Sequence, residues 1–305
     1  MSRILMCLVL AMLTGACAAR KPARSVRSAP GARPSAARHE SLESFIDKVR
    51  ATSERARPTT ERAQTIEISD PMLATELKAL HLESTAANHR VVAAAYMRHG
   101  VLDLAHEHFS AAVALEPEDG ASWDGLARIW RDWGLPHLAL PDAYRAVYFV
   151  PASPATHNTL GTVLQALGRS ADARAQFEQA IALDANAAYA LSNLCHGWRV
   201  EGQPAKAAEA CRSALRLRPD LESARNNLAL AYDAEGNLAA ALDTLAASAD
   251  KARAAYNEGL LHLAGHRYRE ALTAFDRARA SRPQYRAAEI MARRVRAQLH
   301  EVSEQ

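Results

Sequence analysis

Two cysteines form the residue pair whose spacing points most directly to chemistry. Cys195 and Cys211 lie on either side of a turn predicted at Gly202-Gln203, which is centred almost midway between them. If two antiparallel helices pair about that turn, the cysteines face each other, and in an oxidising compartment they would form a disulfide. The alternative is two buried thiols that fill small positions between the helices. Four cysteines in the chain are too few for a disulfide-rich scaffold.

Histidines cluster at two places, and neither cluster has the pattern of a metalloenzyme. His106-Glu107-His108 lacks the four-residue histidine spacing of a zinc-protease helix. His262 and His266 have that spacing, but no glutamate follows His262 and Gly265 marks a helix end. We interpret both clusters as exposed or packing histidines and predict no metal and no cofactor. The sequence has no glycine-rich phosphate loop, GxSxG elbow or CxxC motif, so a non-catalytic protein is predicted.

The elements that position these residues are helical hairpins, and residues 154–187 show the hairpin pattern clearly. Its first helix places Leu160, Leu164 and Leu167 on one face and ends at Gly168, a residue suited to closing a helix. Its second helix carries Ala173, Phe177 and Ala180 at helical spacing. One apolar side of the hairpin stays uncovered, so the hairpin requires neighbours.

The hairpin pattern recurs every 34 residues. The units begin at Ala86, Gly120, Pro154, Ala188, Glu222 and near Ala252, the last of them four residues early, which predicts a shortened loop before it. Position 20 of every unit is alanine: Ala105, Ala139, Ala173, Ala207, Ala241 and Ala271. Position 24 is phenylalanine in three units, at Phe109, Phe177 and Phe275. Small residues at position 20 allow two helices to approach closely, and the larger residue fills the gap between them.

This pattern resembles the tetratricopeptide repeat, with Trp123, Leu126 and Trp130 near the start of the second unit as further signature residues. The resemblance implies an all-α fold: a right-handed superhelical solenoid of about six helical hairpins. The predicted organisation is an export signal (residues 1–16), a basic disordered linker (17–39), leading helices (40–85), the repeat array (86–285), and a capping helix with a tail (286–305).

The N-terminus has the features of a bacterial export signal. Arg3 precedes an apolar run that is too short to span a bilayer. Thr14-Gly15-Ala16-Cys17 resembles a lipobox, in which Cys17 would become the lipidated first residue of the mature protein. Ordinary cleavage at Ala16-Cys17-Ala18 and an uncleaved anchor are the alternatives. The predicted location is the periplasm, with a lipid anchor, favouring the outer membrane.

The linker that follows is rich in alanine, proline, serine and arginine, and it carries six basic and no acidic residues. We interpret it as a solvated tether, with adhesion to an anionic surface as the alternative. The whole chain has a formal charge of +3, and Arg3 and the linker contribute seven positive charges, so the rest carries −4. A mildly acidic folded part argues against a nucleic-acid partner.

The candidate binding residues come from the resemblance, which implies a concave groove lined by the first helix of each unit. Carried onto this chain, the groove positions include Asn158, Thr162, Tyr189, Asn193, His196, Arg199, Asn226, Asn227, Tyr256 and Asn257. Asparagine side chains carry both donors and acceptors, so a row of them can pair with the backbone of an extended peptide. The alternative is that these asparagines lie on a solvated helix face.

The leading hypothesis is therefore a protein-binding scaffold of the bacterial cell envelope. The predicted combination of an export signal and a repeat array resembles that of exported lipoproteins that assist pilus or secretion-pore assembly. An alternative is an accessory protein of cell-wall or exopolysaccharide synthesis or export, with an aromatic platform drawn from Trp123, Trp130, Trp133, Tyr189, Trp198 and Tyr256. A third alternative is an enzyme whose catalytic residues form no motif recognisable in the sequence. The partner's identity and the oligomeric state do not follow from the sequence.

Overall fold

The structure is a computed structural model, and it describes residues 66, 67 and 69–303. The predicted export signal, the lipidation site Cys17, the basic linker and the first part of the leading helices lie outside the described residues. They therefore remain predictions.

The described part of the chain contains fourteen helices and no strand. They are α1 (Pro71–Leu82), α2 (Ala86–Arg98), α3 (Leu102–Leu115), α4 (Gly120–Asp132), α5 (Pro136–Phe149), α6 (Pro154–Ala166), α7 (Ser170–Leu183), α8 (Ala188–Val200), α9 (Pro204–Leu217), α10 (Glu222–Ala234), α11 (Leu238–Ala246), α12 (Lys251–Ala264), α13 (Tyr268–Ser281) and α14 (Arg286–Ser303). The helices α2 to α13 form six consecutive hairpins, which we number as repeats one to six. The predicted all-α fold of helical hairpins is confirmed.

The turn inside each hairpin contains one residue in the left-handed conformation. In the first five repeats that residue is a glycine with φ between 70° and 77°: Gly100, Gly134, Gly168, Gly202 and Gly236. In the sixth repeat the equivalent residue is His266, with φ of 56°. Glycine has no Cβ and adopts this conformation without strain, whereas histidine does so at a cost in free energy.

The core repeats with the same period as the sequence. The alanines at position 20 are at most 1 % exposed, and Phe109, Phe177 and Phe275 are buried against them. In repeat three, Gly161 on α6 faces the ring of Phe177, and a Cβ placed on Gly161 would lie 2.5 Å from that ring. Gly259 and Phe275 form the same pair in repeat six. The helices of a hairpin can therefore approach closely because a glycine faces the large side chain.

The irregularity before repeat six is in a helix and not in a loop. The loop before α12 has four residues, 247–250, as has the loop before α10, 218–221. Helix α11 has nine residues, whereas α9 has fourteen. The expectation of a shortened loop is therefore wrong. Asp250 accepts a hydrogen bond from the amide of Arg253 and so caps α12, which fixes where the next helix begins.

Helices α1 and α14 cover the two ends of the repeat array. Leu73 of α1 is fully buried in a cluster with Val92 and Tyr96 of repeat one. Ala292 and Val295 of α14 are fully buried in a cluster with Phe275 of repeat six. Among the described residues, no helix has the length and apolar character required to cross a membrane.

Candidate functional site

Four of the predicted groove asparagines hydrogen-bond to one another in pairs. The side-chain amide of Asn193 on α8 donates to Oδ1 of Asn158 on α6, with a distance of 2.7 Å. Asn257 on α12 donates in the same way to Asn226 on α10, with a distance of 2.8 Å. Each pair joins the first helices of two consecutive repeats. These amides therefore connect neighbouring repeats.

A second set of side-chain hydrogen bonds links position 12 of one repeat to position 9 of the next. The Nη1 of Arg131 donates to the hydroxyl of Thr162, with a distance of 3.0 Å. The Nε2 of Gln165 donates to Nδ1 of His196, with a distance of 2.8 Å. Both pairs are separated by 31 residues. The middle of the surface formed by the first helices, from repeat two to repeat four, is thus closed by polar contacts between repeats.

This series of contacts stops after repeat four. Arg199 occupies position 12, and Leu230, which cannot accept a hydrogen bond, lies 31 residues later. The Nε of Arg199 is buried and has no hydrogen-bond partner among the described residues. Burial of His196 and the positive charge of Arg199 lower the pKa of the His196 imidazole. A neutral His196 is suited to accepting the hydrogen bond from Gln165.

The remaining predicted groove residues have different environments. Tyr189 is 41 % exposed on α8. Asn227 is partly buried on α10. The ring of Tyr256 lies 5.6 Å from that of Phe275 and 5.1 Å from that of Tyr285, measured between centroids, so this side chain belongs to the packing of repeat six. Burial raises the pKa of the Tyr256 hydroxyl, consistent with that position.

An opening on this surface lies between the first two repeats, where a cavity of 440 Å³ separates α2 from α4. We call it the α2–α4 pocket. Its apolar lining includes Val91, Ala94, Met97 and Phe109, and its charged lining consists of Arg90, Arg98, Arg128 and Asp124. Sequence reasoning missed these residues because it applied the groove positions only from the third unit onward. Val91 and Met97 stand at positions 6 and 12 of the first unit, so the same rule would have found them.

Asp124 is the buried charge of the α2–α4 pocket. The residue is 8 % exposed, and burial raises the pKa of its carboxyl, although nearby Thr159, Arg128 and Arg131 oppose the shift. Its Oδ1 has no hydrogen-bond partner in the part of the chain that the structure describes. A second carboxylate near this pocket, that of Asp119, is in contrast fully engaged: it caps α4 and forms an ion pair with Arg90 at a distance of 2.9 Å.

A smaller apolar pocket of 190 Å³ lies between the last two repeats. Leu230, Leu260, Leu261 and Leu245 line it together with the paired asparagines Asn226 and Asn257. Position 9 is leucine in both of these repeats, which is why the polar contact between positions 12 and 9 gives way to an apolar surface here. The two pockets therefore flank the polar middle of the array.

The cysteines and histidines that could carry chemistry have structural roles. Cys195 and Cys211 are joined by a disulfide between α8 and α9, and both are fully buried. His106 packs on Trp130 and Trp133, and His108 hydrogen-bonds to His89. His262 accepts a hydrogen bond from Arg267, with a distance of 3.0 Å. Across residues 66, 67 and 69–303, no group of three or more potential ligands is arranged to hold a metal ion.

A sequence profile of the tetratricopeptide repeat matches residues 158–196 and 256–303. Together with the six stacked hairpins, this match shows that the chain carries tetratricopeptide repeats. Its array is a helical solenoid of the kind that serves as a protein-interaction scaffold, and repeats of this type are typically non-catalytic.

Solved structures of other tetratricopeptide-repeat proteins share this fold at low sequence identity. A chain of the APC/C hetero-tetramer Cut9-Hcn1 matches with a TM-score of 0.62 and 19 % identity; the match covers 82 % of this chain and 52 % of that chain, so the present chain spans about half of its length. PilW, a type IV pilus biogenesis factor, matches with a TM-score of 0.58 and 20 % identity over 67 % of this chain and 97 % of PilW. PilF of Pseudomonas aeruginosa matches with a TM-score of 0.55 and 17 % identity over 70 % of this chain and 97 % of PilF.

A comparison of the sequence with curated proteins gave no match.

Proposed function

We propose that this tetratricopeptide-repeat protein is a non-catalytic scaffold of the bacterial cell envelope that holds a segment of a protein partner in its concave groove. The observation that carries the proposal is the α2–α4 pocket, a 440 Å³ opening on the surface formed by the first helices. A cavity of this size with an apolar lining and a few charged groups at its edge is suited to receiving a side chain of a partner.

The envelope location is supported by the N-terminal sequence. A basic residue, an apolar run and a lipobox-like Cys17 precede the basic linker. The proposed mature protein is exported to the periplasm and anchored by a lipid on Cys17, in the outer membrane. Labelling cells with a palmitate analogue checks the anchor: the label enters the intact protein and is lost in Cys17→Ala, whereas equal labelling of both would contradict it.

The finer proposal is that the partner is a component of pilus or secretion-pore assembly. It is supported by the likeness of the fold to PilW, described as a type IV pilus biogenesis factor, and to PilF. The match covers 97 % of each of those chains.

The alternative role in polysaccharide synthesis requires aromatic faces open to a sugar, and the structure argues against it. Arg145 covers the ring of Trp123 at 4.6 Å, and Arg174 and Lys206 lie over Trp198 at 4.4 and 4.5 Å. Trp130 and Trp133 pack on each other with 5.2 Å between ring centroids. Five of the six proposed platform rings, including Tyr256, are therefore occupied by neighbouring side chains, and Tyr189 is left as the exposed one.

Affinity capture from envelope extracts, joined to deletion of the gene, tests the proposed function. We expect the full-length protein to enrich a pilus or secretion-pore component, and the deletion strain to lose surface pili or assembled pores. An unrelated repeat protein carrying the same tag is the control. Enrichment of no envelope protein above that control, or a deletion that alters polysaccharide and leaves pili and pores intact, would contradict the proposal.

Substituting the groove asparagines is a poor test of this function. Asn158, Asn193, Asn226 and Asn257 hydrogen-bond between repeats, so an alanine variant would loosen the array and remove a binding surface at the same time. Variants of the α2–α4 pocket avoid that confusion, because Val91, Arg98 and Arg128 are all substantially exposed.

A further inference from the structure

We propose that the α2–α4 pocket recognises an acidic segment: an apolar side chain of the partner enters the pocket while carboxylates beside it bind Arg98 and Arg128. This inference rests on the proposed function and gives the chemistry of the partner. It also places the main binding site at the α2–α4 pocket and not at the paired asparagines of repeats three to six.

The apolar part of the site is open to an incoming side chain. Val91 is 42 % exposed, although it lies on the face of α2 that lines the pocket with Ala94 and Met97. Phe109 forms the inner wall, and Gly125 leaves room for it, because a Cβ there would lie 2.5 Å from the ring. Covering this exposed apolar surface with a leucine or phenylalanine side chain removes it from water, which favours binding.

Two of the three arginines at the pocket are available for a ligand. Arg90 forms a close ion pair with Asp119, at 2.9 Å, and so belongs to the contact between repeats. Arg98 and Arg128 lie 3.9 Å from Glu76 and Asp124, too far for a hydrogen bond. Their side chains are 53 % and 47 % exposed. Their guanidinium groups therefore retain donors for a carboxylate, which arginine binds in bidentate geometry.

Asp124 adds a hydrogen-bond acceptor for the backbone of the same segment. Its Oδ1 lacks a partner among the described residues, and a buried polar atom without a partner is costly. A rotation of the carboxylate towards the cavity would let it accept a hydrogen bond from a main-chain N–H of the partner. Because the exposed cationic groups at the pocket are those of Arg98 and Arg128, an acidic segment is favoured over a basic one.

The rest of this surface does not offer the same combination. Between repeats two and four, the polar side chains at positions 9 and 12 bind each other. The pocket between the last two repeats is lined by leucines, alanine and asparagines, so its lining has no positive charge to form an ion pair with a carboxylate. The acidic segment is therefore expected at the N-terminal end of the array, and the second pocket provides an internal comparison.

The test uses short fluorescein-labelled peptides with a central leucine or phenylalanine flanked by aspartates, by asparagines or by lysines, and fluorescence anisotropy with the full-length protein. We expect the aspartate series to bind about tenfold or more tightly than the asparagine series, and the lysine series to bind most weakly. High salt should weaken the aspartate series. The inference is overturned if asparagine or lysine peptides bind as well as aspartate peptides, or if none binds.

Matched variants locate the binding. Arg98→Glu combined with Arg128→Glu should abolish the preference for aspartate, whereas the same charge change at the exposed Arg269 and Arg294 of the last two helices should leave it intact. Val91→Ser should weaken binding about tenfold, and Val200→Ser, at a residue 57 % exposed outside the pocket, should not. Circular dichroism verifies that each variant is folded. Unchanged binding by the arginine double variant would rule out this pocket.

The outcomes separate this inference from the proposed function. If an envelope partner is captured equally by the intact protein and by the arginine double variant, the protein is a scaffold that uses another surface. If no envelope partner is captured while the aspartate peptides bind as described, the pocket has the stated chemistry and the proposed function fails.

Discussion

At the scale of single residues, glycines on the first helices show how closely two helices of a hairpin approach. A Cβ on Gly161 would lie 2.5 Å from the buried ring of Phe177, whereas a Cβ on Gly197 would lie 3.9 Å from its nearest neighbour, Gln165. Gly161→Ala should lower the free energy of unfolding by about 1–2 kcal/mol, because overpacking outweighs the gain in helix propensity. Urea denaturation checks this value.

The matched variant Gly197→Ala should have the opposite effect. It gains helix propensity without a clash, so it should raise stability by up to about 1 kcal/mol. If both alanine variants were stabilised equally, the close contact between Gly161 and Phe177 would not determine the packing of repeat three.

The residue in the left-handed turn of repeat six is a second case. His266 has φ of 56° where the other repeats have glycine. His266→Gly should stabilise the protein by about 0.5–1 kcal/mol, after allowance for the lost contact with the Tyr268 hydroxyl. The converse change Gly202→Ala, at φ of 71°, should destabilise it by about 1 kcal/mol. Thermal denaturation of both variants provides the measurement, and a loss of stability in His266→Gly would refute the strain argument.

Asp124 makes stability depend on pH in an unusual direction for a carboxylate. Because burial raises its pKa in the folded protein, folding favours the protonated form. Its contribution to stability is fully present below the ordinary aspartate pKa and is lost as the pH rises through the raised value. Asp124→Asn should therefore be more stable than the native protein at pH 7, and the difference should shrink as the pH falls towards about 4.

Urea denaturation across that pH range measures the effect, with Asp132→Asn as the control because Asp132 is exposed. A difference between Asp124→Asn and the native protein that grew as the pH fell would show that Asp124 is stabilising when ionised.

At the scale of helices, the disulfide joins the two halves of one hairpin. Cys195 and Cys211 are separated by 16 residues. A loop of this size implies that oxidation raises the free energy of unfolding by about 3 kcal/mol. Denaturation with and without reductant should show this difference, and Cys195→Ala combined with Cys211→Ala should make the protein insensitive to reductant. If reductant left the midpoint of the native protein unchanged, the disulfide would contribute nothing.

The sequence predicted the helical hairpins because their packing residues recur with a fixed period. Alanine at position 20 and phenylalanine at position 24 indicate where two helices meet, because the volume of each side chain must fit the space between those helices. The length of α11 could not be predicted in this way. A sixth unit that begins four residues early requires either a shorter loop before α12 or a shorter α11. The cap at Asp250, which fixes the start of α12, distinguishes the two.

The candidate site was harder to predict for a different reason. An asparagine amide can bind a peptide or the asparagine of the neighbouring repeat equally well, and the sequence contains no preference between them. The spacing of 31 residues between Arg131 and Thr162, and between Gln165 and His196, becomes informative only once the helices are known to be adjacent. The α2–α4 pocket could not be predicted for a similar reason. Whether each of its arginines forms a short or a long ion pair depends on distances that the sequence does not contain.

At the scale of the whole array, stability follows from the contacts between neighbouring repeats. In a repeat protein each unit contacts mainly the next, so unfolding begins where a junction is weakest. Repeat five contributes a second helix of nine residues to its junction with repeat six, whereas repeat four contributes fourteen. The missing turns remove apolar surface that would otherwise be buried on α12.

Helices α12 to α14 should therefore open independently of the rest of the array. Hydrogen exchange followed by mass spectrometry should show amides of residues 251–299 exchanging through an opening that requires about 2 kcal/mol less free energy than opening of repeats two to four. Replacing the end of α11 with the corresponding turns of α7, from a repeat whose second helix has fourteen residues, should remove most of that difference, because it restores the missing contact. Uniform protection across repeats two to six in the native protein would instead mean that the nine residues of α11 hold repeat six as firmly as a full helix does, through Leu245 and Leu261 in their shared cluster.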